Sequence, residues 1–274
     1  MTEQAERYDR LAEGYATWWA PVLAPAVGRL LDRAAAWLGG DAARVLDIGT
    51  GTGQLAIAAL RRWPDLSVVG VDASGGMRAM ADALARQALG DAAGRFRTET
   101  AFADGLPFPD AMFDIALSSF VFQLVPNRAR ALREARRVLR PGGLLAYVSW
   151  LQDDRAFAPD LLFDEVLESF DIDPGGPDGR SGDLPSVARA AGELRRAGFA
   201  EVSADGEVLE HAFTVEGYLA FLTEFDEESL FEELDPDRRD RLLAAMRDGL
   251  GRLSRDEMTM RVPVVFASGR RSAR

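Results

Sequence analysis

Hydrophobic and polar positions change their spacing repeatedly along this chain of 274 residues. Short apolar, β-branched runs are typical of buried strands, and longer segments with apolar residues three and four positions apart predict amphipathic helices. The runs predict strands over residues 45–48, 67–72, 95–101, 112–119, 144–150, 199–204 and 261–267. The helical spacing predicts helices over residues 8–19, 22–38, 53–62, 74–89, 128–139, 156–170, 186–197, 215–225 and 237–253. Strands separated by helices favour parallel pairing through right-handed crossovers, which gives a doubly wound α/β sheet.

The segments outside this alternation predict how the sheet is covered. Pro21 and Pro25 interrupt the first helical pattern, so two separate helices are expected before the first strand. Residues 171–185 are rich in Gly, Pro and Asp, and we expect a loop that could serve as a lid. Residues 207–214 are expected to be extended, the acidic stretches at 226–228 and 232–233 solvated, and residues 269–274 a frayed basic tail.

We expect a single domain in three parts. Residues 1–40 form a helical cover, residues 41–151 form a ligand-binding core, and residues 152–274 form the C-terminal half, with the lid loop and a helical insertion before the last strand.

The amino-acid composition excludes several kinds of functional site. The chain has no cysteine and no lysine, and His211 is its only histidine. These absences exclude thiolate and Schiff-base chemistry and a multi-histidine metal site, so no metal is expected.

Charge and hydropathy limit the partners. The net charge of −12 disfavours a nucleic-acid surface, because phosphate backbones would be repelled. No apolar run is long enough to span a bilayer, and the first residues lack a signal-peptide pattern. We therefore expect a cytoplasmic protein with a small-molecule partner, no nucleic-acid or membrane partner, and a monomeric or homodimeric state.

The most informative stretch is VLDIGTGTG at residues 45–53, a strand that breaks into a turn with three glycines. Such a turn lets a ligand approach the backbone closely. Asp72 ends the second predicted strand, where a carboxylate can accept both hydroxyls of a ribose, so NAD, FAD and adenosyl ligands all fit. Asp47 would repel a diphosphate but suits a ligand with an ammonium group and no phosphate. S-adenosylmethionine meets this description.

At this point the chain resembles class I S-adenosylmethionine-dependent methyltransferases of the small-molecule type, in the group related to ubiquinone and menaquinone biosynthesis. The first motif is the glycine turn already described. Four further motifs follow in family order: VGVDAS at 69–74 with Met77 after it, ADGLPF at 103–108, FDIALSSF at 113–120 and EARRVLRPGG at 134–143. The resemblance covers residues 44–150 and implies a Rossmann-like sheet of seven strands, mostly parallel, with S-adenosylmethionine as cofactor and S-adenosylhomocysteine as product.

The resemblance also implies cofactor contacts. It implies that the turn residues Gly49, Thr50 and Gly51 meet the methionine moiety beside Asp47, and that Asp72 holds the ribose. It places the adenine against Ala73, Met77, Ala103, Asp104, Gly105 and Leu106, and it closes the site with Ser118 and Phe120. Tyr15 could reach the ligand carboxylate from the N-terminal helix, or could be a buried helix aromatic; both interpretations stay open.

Methyl transfer from a sulfonium chiefly requires alignment of donor and acceptor, and a base is needed only when the acceptor must lose a proton. Candidates for catalysis are His211, Gln123 and Asp153, although Gln123 occupies a position where many relatives have histidine. Candidates to line the substrate site are Trp18, Trp19, Phe122, Gln123, Trp150 and Phe163, which predicts an apolar or aromatic acceptor. Two alternatives remain: bound cofactor used for non-methyl chemistry such as cyclisation, or a non-catalytic cofactor-binding protein that could dimerise through residues 215–253.

Overall fold

Seven strands form one sheet in the order β3-β2-β1-β4-β5-β7-β6 in the computed structural model, which describes residues 3–38, 43–173 and 182–272. The strands are β1 (Arg44–Ile48), β2 (Ser67–Asp72), β3 (Phe96–Thr100), β4 (Phe113–Ser119), β5 (Leu139–Trp150), β6 (Phe199–Ala212) and β7 (Thr259–Arg271). The first five pair in parallel, and β7 runs antiparallel between β5 and β6. The prediction of a seven-stranded, mostly parallel α/β sheet is confirmed.

Ten α-helices, counted over the described residues, surround the sheet. They are α1 (Glu3–Gly14), α2 (Ala20–Leu38), α3 (Gln54–Arg62), α4 (Gly75–Leu89), α5 (Arg128–Val138), α6 (Ala158–Ser169), α7 (Val187–Arg196), α8 (Val215–Phe221), α9 (Glu228–Glu233) and α10 (Pro236–Leu250). Short 3₁₀ turns lie at Gly90–Arg95 and Phe122–Leu124. Two π-helical turns, Tyr15–Trp19 and Leu222–Asp226, follow α1 and α8.

The core forms two layers because the central strands are buried on both faces, as continuous apolar runs predict. Val45 and Leu46 of β1 are fully buried yet belong to opposite layers. The first layer is completed by α2, α3 and α4, and the second by α5 and α7. A third apolar cluster joins α6 to the insertion α8–α10, whose predicted position before the last strand the structure reproduces.

The N-terminal segment differs from the expectation of a break at the prolines. The chain continues from α1 through the π-helical turn into α2, and Pro25 lies inside α2. The Ala20 N–H bonds to the Tyr15 carbonyl, five residues earlier, and this wider turn carries the helix up to Pro21. The buried side of α2, with Leu23, Val27 and Leu30, packs into the first core layer.

The C-terminal third also differs in three places. Residues 199–212 form one strand rather than two extended pieces, because β7 pairs with it along nearly its whole length. The acidic stretch 226–233 contains the unforeseen helix α9, which Phe231 anchors with a side chain only 1% exposed, while Asp226, Glu232 and Glu233 are exposed as expected. The expected frayed tail is wrong for residues 269–271, which belong to β7. The lid prediction for 171–185 falls mostly outside the described residues, which omit 174–181.

Within the described ranges, none of the helices has the length and apolar character required to cross a bilayer. The same residues contain no group of three or more His, Cys, Asp or Glu side chains placed to hold a metal ion.

Arg271 joins the end of β7 to the end of α5. Its Nη1 donates to the carbonyls of Arg136 at 3.2 Å, Arg137 at 2.7 Å and Leu139 at 2.6 Å. These carbonyls lie at the C-terminus of α5, where helix acceptors lack partners and a cation is favoured.

We predict that Arg271→Met lowers the free energy of unfolding by about 2 kcal/mol, because hydrogen bonds from a charged donor contribute in this range. Urea denaturation followed by circular dichroism measures it. The control is Arg255→Met, which removes an exposed arginine whose side chain has no hydrogen bond among the described residues. Equal denaturation midpoints for the two variants would show that Arg271 does not cap α5.

Candidate functional site

Two neighbouring cavities lie at the carboxyl ends of β1, β2 and β4. The first, which we call the outer cavity, has an empty volume of about 770 Å³. Its lining consists of Tyr8, Gly49, Asp72, Ala73, Ser74, Ala101, Phe102, Ala103, Asp104, Val121, Leu124, Val125 and Pro126. The second, the inner cavity, is lined by Tyr15, Leu23, Val27, Asp47, Gly49, Thr50, Gly51, Thr52, Gln54, Leu55 and Ser119. Gly49 belongs to both linings and marks where the cavities meet.

The glycine turn between β1 and α3 shapes this junction. Gly49 has φ +70°, a left-handed backbone conformation that residues other than glycine rarely adopt. A Cβ atom at this position would also collide with the Val121 side chain. The amides of Gly49 and Thr50 both donate to the Val71 carbonyl, at 2.8 and 2.9 Å. The turn is therefore held against β2 on one side and against the residues after β4 on the other, which keeps its backbone at the floor of the site.

Asp72 closes the outer cavity at the end of β2. Its Oδ2 accepts from the Gly51 amide and its Oδ1 from the Ser74 amide, both at 2.9 Å. Each carboxylate oxygen keeps a second lone pair, so the group can still accept hydroxyl donors from the cavity. Burial raises the pKa of Asp72, while the amide hydrogen bonds act in the opposite direction.

Asp47 lines the inner cavity and is only 1% exposed. Its Oδ2 accepts a hydrogen bond of 2.8 Å from the Thr50 hydroxyl. Burial raises the pKa of Asp47 to about 7, and the nearby carboxylate of Asp72 adds to the rise. A buried carboxylate of this kind is costly without a cationic partner, which suits an ammonium group in the inner cavity.

Helix α1 covers both cavities. Tyr8 lines the outer cavity and Tyr15 the inner one, and their rings meet edge to face at 6.2 Å. Asp9 attaches the helix to the start of α4: its Oδ1 accepts from the Ser74 hydroxyl at 2.5 Å and the Gly76 amide at 2.8 Å. These bonds lower the pKa of Asp9. The contributions of Tyr8 and Asp9 were missed, because an amphipathic pattern does not reveal what a helix covers.

The predicted adenine contacts divide into two groups. Ala73, Ala103 and Asp104 line the outer cavity. The three others, Met77, Gly105 and Leu106, line neither cavity. Met77 is a buried residue in the first turn of α4, and Leu106 is buried in the core.

The loop that carries Ala103 and Asp104 is fastened to α5. Glu134 Oε2 accepts from the Leu106 amide at 3.1 Å. Arg137 donates to the carbonyls of Leu106 at 3.0 Å and Phe108 at 2.7 Å. The fifth motif, EARRVLRPGG, therefore holds the third motif, ADGLPF, in place through these hydrogen bonds.

The end of β4 carries a strained residue. Phe120 has φ +56°, an outlier for a bulky side chain. Its neighbours Ser119 and Val121 line the inner and outer cavities respectively. Ser118, predicted to close the site, is instead fully buried, and its hydroxyl donates to the Ile48 carbonyl at 2.8 Å.

Gln123 holds this strained position. Its Nε2 donates to the Phe120 carbonyl at 2.7 Å, and its Oε1 accepts from the Ser149 hydroxyl at 2.7 Å. The side chain is buried, and Gln123 lines neither cavity.

The six aromatic and polar residues predicted to meet substrate are not equally placed. Phe120, Trp150 and Trp19 form a cluster of tilted rings outside the two linings, with centroids 4.1 Å apart for Phe120 and Trp150 and 6.2 Å apart for Trp150 and Trp19. Trp18 donates from Nε1 to Glu224 at 2.8 Å. Phe122 and Phe163 are core residues: Phe122 is fully buried against Tyr147, and Phe163 packs on Phe231 in the third cluster.

The two remaining catalytic candidates also stand apart from the cavities. His211 pairs with Met260 on the sheet edge and packs edge to face on Phe213 at 4.4 Å. Burial lowers its pKa. Asp153 binds the Arg155 guanidinium at 3.0 Å. Neither residue lines the outer or inner cavity.

Several lining residues carry no signal in the sequence. Leu23 and Val27 enter the inner cavity from α2, and Leu124, Val125 and Pro126 enter the outer cavity from the loop after β4. Their apolar character is common to the core, so only the three-dimensional arrangement distinguishes them.

Comparison with known proteins agrees with this architecture. Residues 46–147 match a family described as a methyltransferase domain. The ubiquinone/menaquinone biosynthesis C-methyltransferase UbiE of Geobacter sulfurreducens is 41% identical over 105 residues, which are 38% of this chain and 40% of that protein. The malonyl-[acyl-carrier protein] O-methyltransferase of the same organism is 34% identical over 169 residues, 60% of this chain and 58% of that protein. The matches thus span about half the length of these curated relatives.

The fold extends further than the sequence matches. The [4+2]-cyclase SpnF superimposes with a TM-score of 0.57 and 21% identity, covering 91% of this chain and 82% of that one. Residues 46–147 therefore match a methyltransferase domain in sequence, and the seven-stranded sheet as a whole has the Rossmann-like fold of class I methyltransferases.

Proposed function

We propose that this protein is an S-adenosylmethionine-dependent methyltransferase that methylates an O, N or C atom of a small, apolar or aromatic metabolite. The observation that carries the proposal is the pair of neighbouring cavities that share Gly49, each with a carboxylate in its wall: half-buried Asp72 in the outer cavity and buried Asp47 in the inner one. Asp72 in the outer cavity suits a ribose diol, and Asp47 in the inner cavity suits an ammonium group. The adenosyl and methionine halves of the cofactor have these two requirements.

The residues present fit the cofactor in its other parts as well. Phe102, Leu124 and Val125 provide apolar side chains that can contact an adenine ring, and Asp104 offers an acceptor for its amine. The cavities place no arginine in their lining, as expected for a ligand without phosphate. Tyr15, in the π-helical turn after α1, lines the inner cavity, where it can meet the methionine half, and this supports a role for residues 1–40 as a cover over residues 41–151.

The bound cofactor supplies an activated methyl group on a positively charged sulfur. The chain's own task is then alignment, which can lower a bimolecular barrier by roughly 7–11 kcal/mol. The glycine turn would hold one end of the donor, and Ser119 and Val121 line the inner and outer cavities on either side of Phe120. Phe120 packs on Trp150, which packs on Trp19, and we infer that this aromatic cluster favours a cationic sulfur and a flat acceptor nearby.

The names of the relatives support the class of reaction, since one is named for C-methylation and the other for O-methylation. Because His211 and Asp153 lie outside both cavities, we infer an acceptor acidic enough, such as a phenol or enol, to react without a histidine base. We place the enzyme in cytoplasmic small-molecule metabolism, with no nucleic-acid or membrane partner.

The activity test incubates the protein with S-adenosylmethionine and a panel of phenols, enols, amines and carboxylic acids, and measures S-adenosylhomocysteine by mass spectrometry. We predict acceptor-dependent release of S-adenosylhomocysteine with at least one aromatic or enolic acceptor.

Asp72→Asn should weaken S-adenosylhomocysteine binding about 10- to 100-fold, since hydrogen bonds to a charged group contribute roughly 1.5–3 kcal/mol. The matched control is Asp82→Asn, which alters a carboxylate bonded to Thr98 outside both linings.

Cofactor binding without S-adenosylhomocysteine release for any acceptor would favour non-methyl chemistry or a non-catalytic role. Unchanged affinity in Asp72→Asn, measured by calorimetry, would instead remove the ribose assignment.

Asp47 predicts opposite pH effects on stability and on binding. Burial raises the pKa of Asp47 to about 7 in the folded protein, whereas in the unfolded chain it is about 4. The free energy of unfolding of the ligand-free protein therefore decreases as the pH rises from about 4 to about 7. Asp47→Asn stays neutral, so it should be more stable than wild type above about pH 7, by up to roughly 4 kcal/mol, and equal to it below about pH 4. Chemical denaturation across this pH range measures the difference.

The same deprotonation should strengthen wild-type binding of S-adenosylhomocysteine between about pH 6 and pH 8, because the charged carboxylate pairs with the ligand ammonium. Asp47→Asn should bind more weakly and lose this pH dependence. A variant that keeps the wild-type pH profile would show that Asp47 does not contact the ammonium group.

Gln123 is predicted to act through Phe120. In Gln123→Leu the Phe120 carbonyl loses its hydrogen-bond donor, so we expect the left-handed backbone of Phe120 to relax. Its neighbours Ser119 and Val121 would then shift in the cavity walls. Cofactor affinity should therefore fall about tenfold, which corresponds to about 1.4 kcal/mol. Adding Phe120→Gly should restore part of this affinity, since glycine adopts positive φ without strain. If Gln123→Leu abolished turnover with unaltered cofactor affinity, Gln123 would instead act on the acceptor.

A further inference from the structure

A groove on the outside of the molecule runs between α5 and α7, with an empty volume of about 790 Å³. Its lining residues are Pro126, Asn127, Arg128, Ala129, Arg133, Arg189, Glu193, Arg196 and Ala197. Four of the nine are arginines and one is acidic. No step of the proposed methyl transfer uses this groove.

The concentration of positive charge there is unusual for this chain. Helices α5 and α7 together carry eight arginines and two glutamates, in a protein whose net charge is −12. Grouping like charges on two adjacent helices costs electrostatic free energy, which a bound anion would offset. The groove is therefore a positively charged site on a protein that is acidic as a whole.

The arginines of the groove are only partly neutralised. The Arg128 Nε pairs with Glu193 at 2.7 Å, and both side chains are largely buried at the base, at 18% and 11% exposure. Arg128 also donates to the Gly182 carbonyl at 2.7 Å, so its donors are committed. Arg189 shares the same glutamate, with its Nε 2.8 Å from Glu193.

Arg133 and Arg196 have no comparable partners. Across residues 3–38, 43–173 and 182–272, neither side chain forms a hydrogen bond or an ion pair. Both are exposed at the groove, one from each helix. Arg137 and Arg271, by contrast, donate to several backbone carbonyls and so have structural roles. The structural contacts of the chain do not account for Arg133 and Arg196.

We propose that the groove between α5 and α7 binds the phosphate group of a soluble small molecule, with Arg133, Arg189 and Arg196 as its guanidinium donors. The planar guanidinium matches phosphate oxygens with two parallel hydrogen bonds, and a doubly charged group suits several arginines better than a single carboxylate does. Arg128 and Glu193 act as the fixed base on which Arg189 is oriented.

The groove is separate from the cofactor cavities but adjacent to them. Pro126 lines both the groove and the outer cavity. The remainder of a phosphorylated ligand could therefore extend toward the adenosine side of the cofactor site, while the cofactor, which lacks phosphate, would leave the groove open.

The test titrates pyrophosphate into the full-length, cofactor-free protein by isothermal calorimetry at constant ionic strength. We expect saturable binding that weakens at least about tenfold, or 1.4 kcal/mol, in the double variant Arg133→Gln, Arg196→Gln. The matched control is Arg86→Gln, Arg255→Gln, which removes the same charge from exposed arginines outside the groove and should bind like wild type.

Absence of saturable binding at millimolar pyrophosphate would overturn the proposal, as would equal weakening in both double variants, which would indicate general attraction of anions. Binding that citrate matches in affinity would also overturn it, because the site would then select charge rather than phosphate. Thermal denaturation of each variant confirms that it is folded. Since the readout is direct binding without cofactor, its failure leaves the proposed methyl transfer untouched.

Discussion

The close approach of Gly49 to Val121 is the contact on which the site depends. At this point the Val121 side chain, from the loop after β4, packs directly against the backbone of Gly49 in the turn after β1. The parallel pairing of β1 with β4 brings the two segments side by side, and the left-handed backbone at Gly49 lets them meet. Because Gly49 lies in the lining of both cavities, the same contact sets where the outer cavity ends and the inner cavity begins.

Two carboxylates, buried Asp47 and half-buried Asp72, give these cavities their chemical character at a cost to the free protein. Desolvation raises the pKa of each. Amide donors from Gly51 and Ser74 partly offset this at Asp72, and the Thr50 hydroxyl and the Ala56 amide do so at Asp47. Such unfavourable burial is typical of sites whose missing partner is a ligand, and here the partner we propose is a cofactor with an ammonium group and a diol.

Several residues around the site support it indirectly, because they hold the lining residues in place. Gln123 bridges Ser149 and the Phe120 carbonyl, and so maintains a strained residue between two lining residues. Asp9 fastens α1 to the first turn of α4, so that Tyr8 and Tyr15 lie over the cavities. The aromatic cluster of Trp19, Trp150 and Phe120 joins the N-terminal segment, the end of β5 and the residue after β4.

The sequence by itself determined the sheet, the glycine turn and the positions of Asp47 and Asp72, because these depend on local features: apolar runs, glycine spacing and residues at strand ends. Tertiary structure alone decided which apolar side chains line cavities, since Leu23 and Val27 resemble any core residues until α2 is packed on the sheet. It likewise decided that Pro21 and Pro25 do not interrupt the N-terminal helix, that Phe122 and Phe163 are core, and that Gln123 supports Phe120. These outcomes depend on contacts between segments far apart in the chain, and periodicity along one segment carries no information about its partner.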